Sequence, residues 1–154
     1  MIPSTTTLKQ VLRPFISPEQ YDFWAREVGS VSAWERCFAK VVARSDESAD
    51  SFTLRLRPNS NMPAYESGQH INLYAVIDGR RVGRSYSLTS LPGERELSIT
   101  LRREPQGLMS NWLYERATPG AILEIGTVFG DMTLAKSAVS GSDDLLFVAA
   151  GSGI

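Results

Sequence analysis

Phe52-Thr53-Leu54-Arg55-Leu56-Arg57 alternates apolar and polar residues at every step. Successive side chains on a strand point to opposite faces, so this run reads as a strand with one face on a core and one in water. Working outward, similar runs lie at about 36–44, 70–76, 81–87, 96–103 and 121–128. Asp78-Gly79 separates two of them, and both residues tolerate positive φ, which suits a hairpin turn. Pro58–Pro63 and Leu91–Gly93 supply further breaks. Six strands at this spacing predict a mainly β domain, a closed or nearly closed antiparallel barrel. One helix interrupts them between strands 5 and 6: Ser110–Ala117, preceded by Gly107 and ended by Pro119-Gly120.

Residues 1–34 form an extension ahead of this pattern, and the first 16 carry no clear period. Ser17-Pro18-Glu19-Gln20 then predicts a helix over about 18–28. Ser17 can cap it, Pro18 has the φ that the first helical position favours, and Gln20 completes a capping box. Ile16 and Tyr21 are spaced for a hydrophobic staple, and Gly29 is a natural stop. Tyr21, Trp24, Ala25 and Val28 share one face, expected to pack against the domain. Past the barrel region (35–135), residues 136–144 are small, polar and linker-like. Leu145–Ala150 is a continuous apolar run of the kind found in buried parallel strands. Gly151-Ser152-Gly153 follows, and a strand running into G-x-G is how a dinucleotide-binding βα unit opens. The reading is thus of a barrel followed by the first strand and glycine turn of a second unit, residues 145–154.

Composition narrows the function classes. With 16 Lys+Arg against 17 Asp+Glu, the chain has no global field for gripping nucleic acid or an anionic membrane. No run approaches the ~20 apolar residues of a membrane span, and the N-terminus lacks the apolar core of a signal peptide, so a cytoplasmic setting is expected. Cys37 is the single cysteine, which excludes an intramolecular disulfide or a multi-cysteine metal or iron–sulfur site within the chain. Opening an apolar run, it reads as a core residue.

Two clusters carry chemistry. In Arg84-Ser85-Tyr86-Ser87, Arg84 and Tyr86 share a strand face, so a cation and an aromatic ring can address one ligand together. Arginine clamps phosphate bidentately, an aromatic stacks on a flat ring, and a hydroxyl can bond a ring edge. The alternative is a solvated arginine beside a half-buried tyrosine. In Gly107-Leu108-Met109-Ser110, glycine permits close backbone approach at a helix start, whose first-turn N–H groups suit an anionic phosphate. The plain reading there is a loop glycine with Ser110 as the helix cap.

Together the clusters resemble a family. R-x-Y-S-x-x-S at 84–90, G-x-x-S-N-[aromatic]-L at 107–113 and G-x-x-L-E-I at 120–125 resemble the ferredoxin–NADP⁺ reductase superfamily. Gly68-Gln69-His70-Ile71 upstream and Leu145–Ile154 downstream are similar to that family's G-Q-[aromatic]-[aliphatic] strand start and to the opening of its nicotinamide domain. The resemblance implies a six-stranded antiparallel Greek-key barrel with one helix, holding FAD. By position, Arg84 binds the flavin phosphate, Tyr86 stacks on the isoalloxazine and Ser87 bonds near N5. Gly107, Leu108, Met109 and Ser110 cradle the pyrophosphate. Arg102 or Thr100 could also touch the cofactor, with an exposed strand role equally open. His70, the single histidine, stands where the family has Tyr or Phe and reads as a structural strand residue. Around Gly130 the family has G-P-[aromatic]-G-x-[aromatic]-x-L, and Thr127–Leu134 lacks the first Gly, the Pro and the second aromatic. FMN therefore stands as the alternative to FAD.

The resemblance further implies an oxidoreductase in which NAD(P)H reduces the flavin, which then feeds a redox partner such as a ferredoxin-like domain, an oxygenase or a desaturase. Any iron–sulfur cluster would belong to another domain or partner. Because the chain ends inside the G-x-G region, its nicotinamide site is expected to be incomplete and the chain alone inactive. The competing classes are an FMN-binding or regulatory electron-transfer subunit, and a non-catalytic barrel that holds no flavin.

Overall fold

The computed structural model describes residues 14–133 and Leu146. The expected linker 136–144, the strand 145–150 and the glycine turn fall outside the described residues, apart from Leu146, which is exposed. Helix α1 (Pro18–Glu27) is followed by strands β1 (Cys37–Asp46), β2 (Ser51–Pro58), β3 (His70–Ile77), β4 (Arg80–Ser87) and β5 (Leu97–Arg102). Helix α2 (Leu108–Arg116) and strand β6 (Ile122–Phe129) complete the order.

All six strands join one antiparallel sheet in the order β4-β3-β6-β1-β2-β5. The last strand inserts between β3 and β1, as a Greek-key path requires. The sheet curls without closing through a ladder between its edges β4 and β5. The segment just past β4 bridges that gap instead, Thr89 N–H donating to the Ser98 carbonyl of β5 at 2.8 Å, while Leu88 N–H donates to the Gln69 carbonyl at 3.1 Å on the β3 side. Ser90 Oγ accepts the Ser98 N–H at 3.0 Å and lies 2.9 Å from the Tyr65 hydroxyl. The last serine of the R-x-Y-S-x-x-S stretch is therefore used in closing the barrel.

Alternation decides which face is buried. Phe52, Leu54 and Leu56 of β2 point inward with Leu97, Ile99 and Leu101 of β5, and Ile71, Leu73, Ala75 and Ile77 line the inner face of β3. Cys37, Leu113 and Leu123 join the same core, as expected for Cys37. Burying one such leucine contributes about 1.5–3 kcal/mol. The β3–β4 turn is Asp78-Gly79, at φ 49° and 75°, the paired positive values of a tight hairpin.

Helix α1 carries the expected capping box, with Ser17 accepting the Gln20 N–H and Gln20 accepting the Ser17 N–H. Its packing differs from expectation. Trp24 is 65% and Val28 79% exposed, so only part of that face packs: Tyr21 is half-buried, its ring 5.6 Å from that of Trp34 and its hydroxyl 2.8 Å from Ser32 Oγ. The anchor is the adjacent stripe: Asp22 is buried and accepts the Trp34 N–H at 2.7 Å, while the Arg26 guanidinium lies 5.2 Å from the Phe38 ring centre. A buried carboxylate with a directed partner fixes the helix angle where apolar spacing alone cannot.

Candidate functional site

Strand β4 pairs with β3 so that Arg80, Val82, Arg84 and Tyr86 stand opposite Ile77, Ala75, Leu73 and Ile71. These four continue the inward row of β3, but on an edge strand that row overhangs the opening between β4 and β5. Val82 and Tyr86 pack against the core, while Arg84 is exposed. Burial pushes the Tyr86 phenol up to about 12, with Arg84 pulling the other way, so the ring is neutral and presents an apolar face.

Arg84 differs from most arginines around it. Arg36 and Arg81 sit on Glu124, Arg55 and Arg57 on Glu96, Arg44 on Asp46, and Arg102 on Asp50. Among the described residues Arg84 has no carboxylate within ion-pair distance, and its Nη1 donates to the adjacent Gly83 carbonyl at 2.8 Å. A guanidinium so placed retains donors for an external anion. Ser87, exposed at the end of β4 opposite His70, belongs to the other row. His70 packs on Phe129 with ring centres 3.8 Å apart, in keeping with a structural role. Thr100 bonds Thr53 at 2.9 Å and Arg102 bonds Asp50 at 2.7 Å, so both find partners around β2.

Helix α2 packs against β4. It begins at Leu108 with Gly107 as the N-cap, two residues before the expected start and in place of Ser110. The reason is local: Gly107 N–H bonds the Glu104 carbonyl at 2.9 Å, so the chain is already turning into the helix at 107. Ser110, only 8% exposed, points back into this loop, accepting the Glu104 N–H at 3.1 Å and donating to the Gly107 carbonyl at 3.3 Å. The Met109 side chain is in the core. Met109 and Ser110 thus face the helix N-terminus through backbone N–H groups, and the Gly107 cap carries no side-chain hydrogen bond that would occupy them.

Asn111, present in the sequence reading only as a motif letter without a role, and Arg103, which that reading passes over, complete the loop. Asn111 Nδ2 donates to the carbonyls of Glu104 (2.8 Å) and Gly107 (2.7 Å), and its Oδ1 accepts from Arg103 Nε at 2.7 Å. Their only sequence signal is the asparagine four residues after Gly107. A cleft of about 520 Å³ opens beside this N-terminus, lined by Asp78 of the hairpin and by Gln106, Leu108 and Trp112. Arg84, Tyr86 and Ser87 lie outside that cleft. The candidate surface is an open strand edge leading toward a helix N-terminus, with Arg84, which has no carboxylate partner among the described residues, and the Tyr86 ring on one row.

Residues 39–133 match the protein-family model described as oxidoreductase FAD-binding domain. The chain belongs to this FAD-binding family. It is 36% identical over 108 residues to a flavohemoprotein of Burkholderia sp. strain TH2, covering 68% of this chain and 28% of that protein. An NADPH oxidoreductase of Mycobacterium tuberculosis is 35% identical over 120 residues, covering 75% and 31%. Among solved structures, the flavohem-like FAD/NAD-binding domain of nitric oxide dioxygenase from Vibrio cholerae O1 biovar El Tor superposes with a TM-score of 0.59. It shares 25% identity and covers 68% of this chain and 48% of that one. The chain spans about 30% of the length of those two curated relatives. Among the open alternatives, the family match favours FAD over FMN and a flavin-binding role over an empty barrel. The donor set fits FAD: a guanidinium without a carboxylate partner among the described residues and uncapped helix amides suit a pyrophosphate, and the Tyr86 ring suits a planar heterocycle.

Proposed function

We propose that this FAD-binding domain serves an electron-transfer flavoprotein that takes reducing equivalents from NAD(P)H and passes them to a haem or iron–sulfur partner. The observation that carries the reading is the row on β4, where the carboxylate-free Arg84 and the neutral Tyr86 ring stand two residues apart. When bound, FAD supplies two-electron acceptance from a nicotinamide and one-electron delivery to a partner, chemistry that belongs to the cofactor. The chain supplies binding and orientation. Arg84 clamps a phosphate oxygen pair, and the first-turn N–H groups of Leu108, Met109 and Ser110 hold the rest of the pyrophosphate beyond Gly107. Tyr86 covers one face of the isoalloxazine and keeps water from it. The Ser87 hydroxyl, at the end of the strand, bonds the ring edge near N5.

The relatives support both halves of this route: the Burkholderia protein is a flavohemoprotein, and the Mycobacterium protein an NADPH oxidoreductase. The apolar run Leu145–Ala150 followed by Gly151-Ser152-Gly153 is assigned to the opening of a nicotinamide-binding unit. No described helix is long and apolar enough to cross a membrane. A cytoplasmic setting is part of the proposal, since NAD(P)H is an intracellular reductant.

The test is titration of Arg84→Ala with FAD, followed by flavin fluorescence. A bidentate charge-assisted contact contributes roughly 1.5–3 kcal/mol, so affinity should fall about 10- to 100-fold. Unchanged affinity in a folded variant would remove Arg84 from the site.

A further inference from the structure

We propose that Asn111, oriented by Arg103, is a positioning residue that keeps the phosphate-facing loop selective for the pyrophosphate of the cofactor. This rests on the reading that the first turn of α2 receives that pyrophosphate. A helix N-terminus attracts an anion only while its N–H groups, and no carbonyl oxygens, are turned toward it. The Gly107 carbonyl takes the first helical bond and the Glu104 carbonyl closes the turn before it, so holding both turned inward is what leaves the N–H groups facing outward. Both are occupied. The Gly107 carbonyl accepts from Asn111 N–H at 3.1 Å, Asn111 Nδ2 at 2.7 Å and Ser110 Oγ at 3.3 Å. The Glu104 carbonyl accepts from Gly107 N–H at 2.9 Å and from the same Asn111 Nδ2 at 2.8 Å. Among the described residues the Asn111 amide is the one side-chain group that bonds both.

An asparagine amide can turn over and present oxygen where nitrogen should be. Arg103 prevents this, because its Nε donates to Asn111 Oδ1 at 2.7 Å. A flipped amide would set NH₂ against a guanidinium and oxygen against two carbonyls, leaving three groups mispaired. Arg103 is itself fixed, its guanidinium lying 4.3 Å from the Tyr114 ring centre while Arg44 lies 4.0 Å from that centre. Arg44 Nη1 also donates to the Tyr114 carbonyl at 2.5 Å. The chain of contacts runs from the Arg44–Tyr114–Arg103 group through one amide to the loop, and every link is a directed bond or a ring contact.

A purely structural role would weaken all ligands alike, whereas a positioning role acts only on ligands that carry phosphate. The experiment therefore measures FAD and riboflavin binding by fluorescence for wild type, Asn111→Leu, Arg103→Met and the double variant. Thermal unfolding of each verifies that it is folded. Wild type should bind FAD far more tightly than riboflavin. Asn111→Leu should lose roughly tenfold for FAD, the equivalent of about one hydrogen bond, while riboflavin affinity stays within about twofold. Arg103→Met, at a side chain 40% exposed, should show a smaller FAD loss of the same selectivity. The double variant should be no worse than Asn111→Leu, because Arg103 acts through that amide.

Equal losses for FAD and riboflavin, or no loss for either, would overturn the proposal. Additive losses in the double variant would overturn the part assigned to Arg103. A wild-type protein with no preference for FAD over riboflavin would instead refute the pyrophosphate reading on which this rests, so the two failures are distinct.

Discussion

Gly68 and Gly120 share nearly the same backbone conformation, φ +96° and +99°, but occupy opposite surroundings. A Cβ on Gly120 would meet nothing within 4 Å, whereas on Gly68 it would overlap the Met132 carbonyl oxygen and lie 3.1 Å from its carbon. Replacing either by alanine incurs the positive-φ penalty, about 1–2 kcal/mol. At Gly68 the colliding atom is backbone, so no rotamer change relieves it and the segment after β6 must move. Such overpacking costs about 1–3 kcal/mol more. The displacement also strains the bond from Gln69 Nε2 to the Gly130 carbonyl at 3.2 Å, worth about 1 kcal/mol. Gly68→Ala should therefore lose about 3–6 kcal/mol and Gly120→Ala about 1–2 kcal/mol, against a typical domain stability of roughly 5–15 kcal/mol. Urea unfolding of both variants measures the difference directly, with the shared φ cost cancelling. Equal losses would mean that the segment at Met132 does not lie against Gly68, and that the clasp between the β3 start and the end of β6 is wrong.

Tyr86 should titrate above the ordinary phenol range. Raised from about 10 to about 12 by burial, it contributes stability that is complete below pH about 10 and lost as pH rises through about 12, and the phenolate absorbance missing in Tyr86→Phe measures it. The Glu124 carboxyl would be raised by burial, but Arg36 and Arg81 together hold it below the usual glutamate range. Its contribution is present above about pH 4.3 and fades as pH falls through the lowered value, so the stability gap between wild type and Glu124→Gln should shrink on acidification, and a constant gap would contradict the pairing. Cys37, 8% exposed and pushed up to about 11 by burial, should resist a disulfide reagent near pH 8 until the protein unfolds; prompt stoichiometric labelling would contradict its place in the core.

The strands were legible because alternation is a local property. Phe52 to Arg57 shows its inner and outer faces without reference to anything else, and the structure extends that strand only to Ser51 and Pro58. Pairing order is different. That β6 inserts between β3 and β1 depends on contacts remote in sequence, and no period records it. The same limit applies to α1, where spacing reveals an apolar face but not that a buried Asp22 packs while Trp24 and Val28 stay exposed. Within the site, Arg80, Arg81 and Arg84 read as one basic cluster. Only register separates Arg81, on the outer row with Glu124 and 3.6 Å from the Tyr74 ring centre, from Arg84 on the inner row. The start of α2 moved for a comparable reason: a hydroxyl at Ser110 signals a cap, but the bond between Gly107 N–H and the Glu104 carbonyl begins the turn earlier.

The open seam of the barrel links fold to site. A closed ladder between β4 and β5 would consume the backbone groups along the outer edge of β4, and would turn its inner row fully into the core. Here β4 ends the sheet order and the seam is bridged past its end, at Thr89 and Ser90. The inner row consequently changes character along its length, from core-packed Val82 to exposed Arg84, then to half-buried Tyr86. An exposed edge strand is ordinarily a liability that invites pairing with other chains. Arginine at Arg80 and Arg84 counters that, and a flat ligand lying along the row would cover the same edge. One feature, the missing ladder, thus makes both an anion-ready guanidinium and a ring surface available on a single strand.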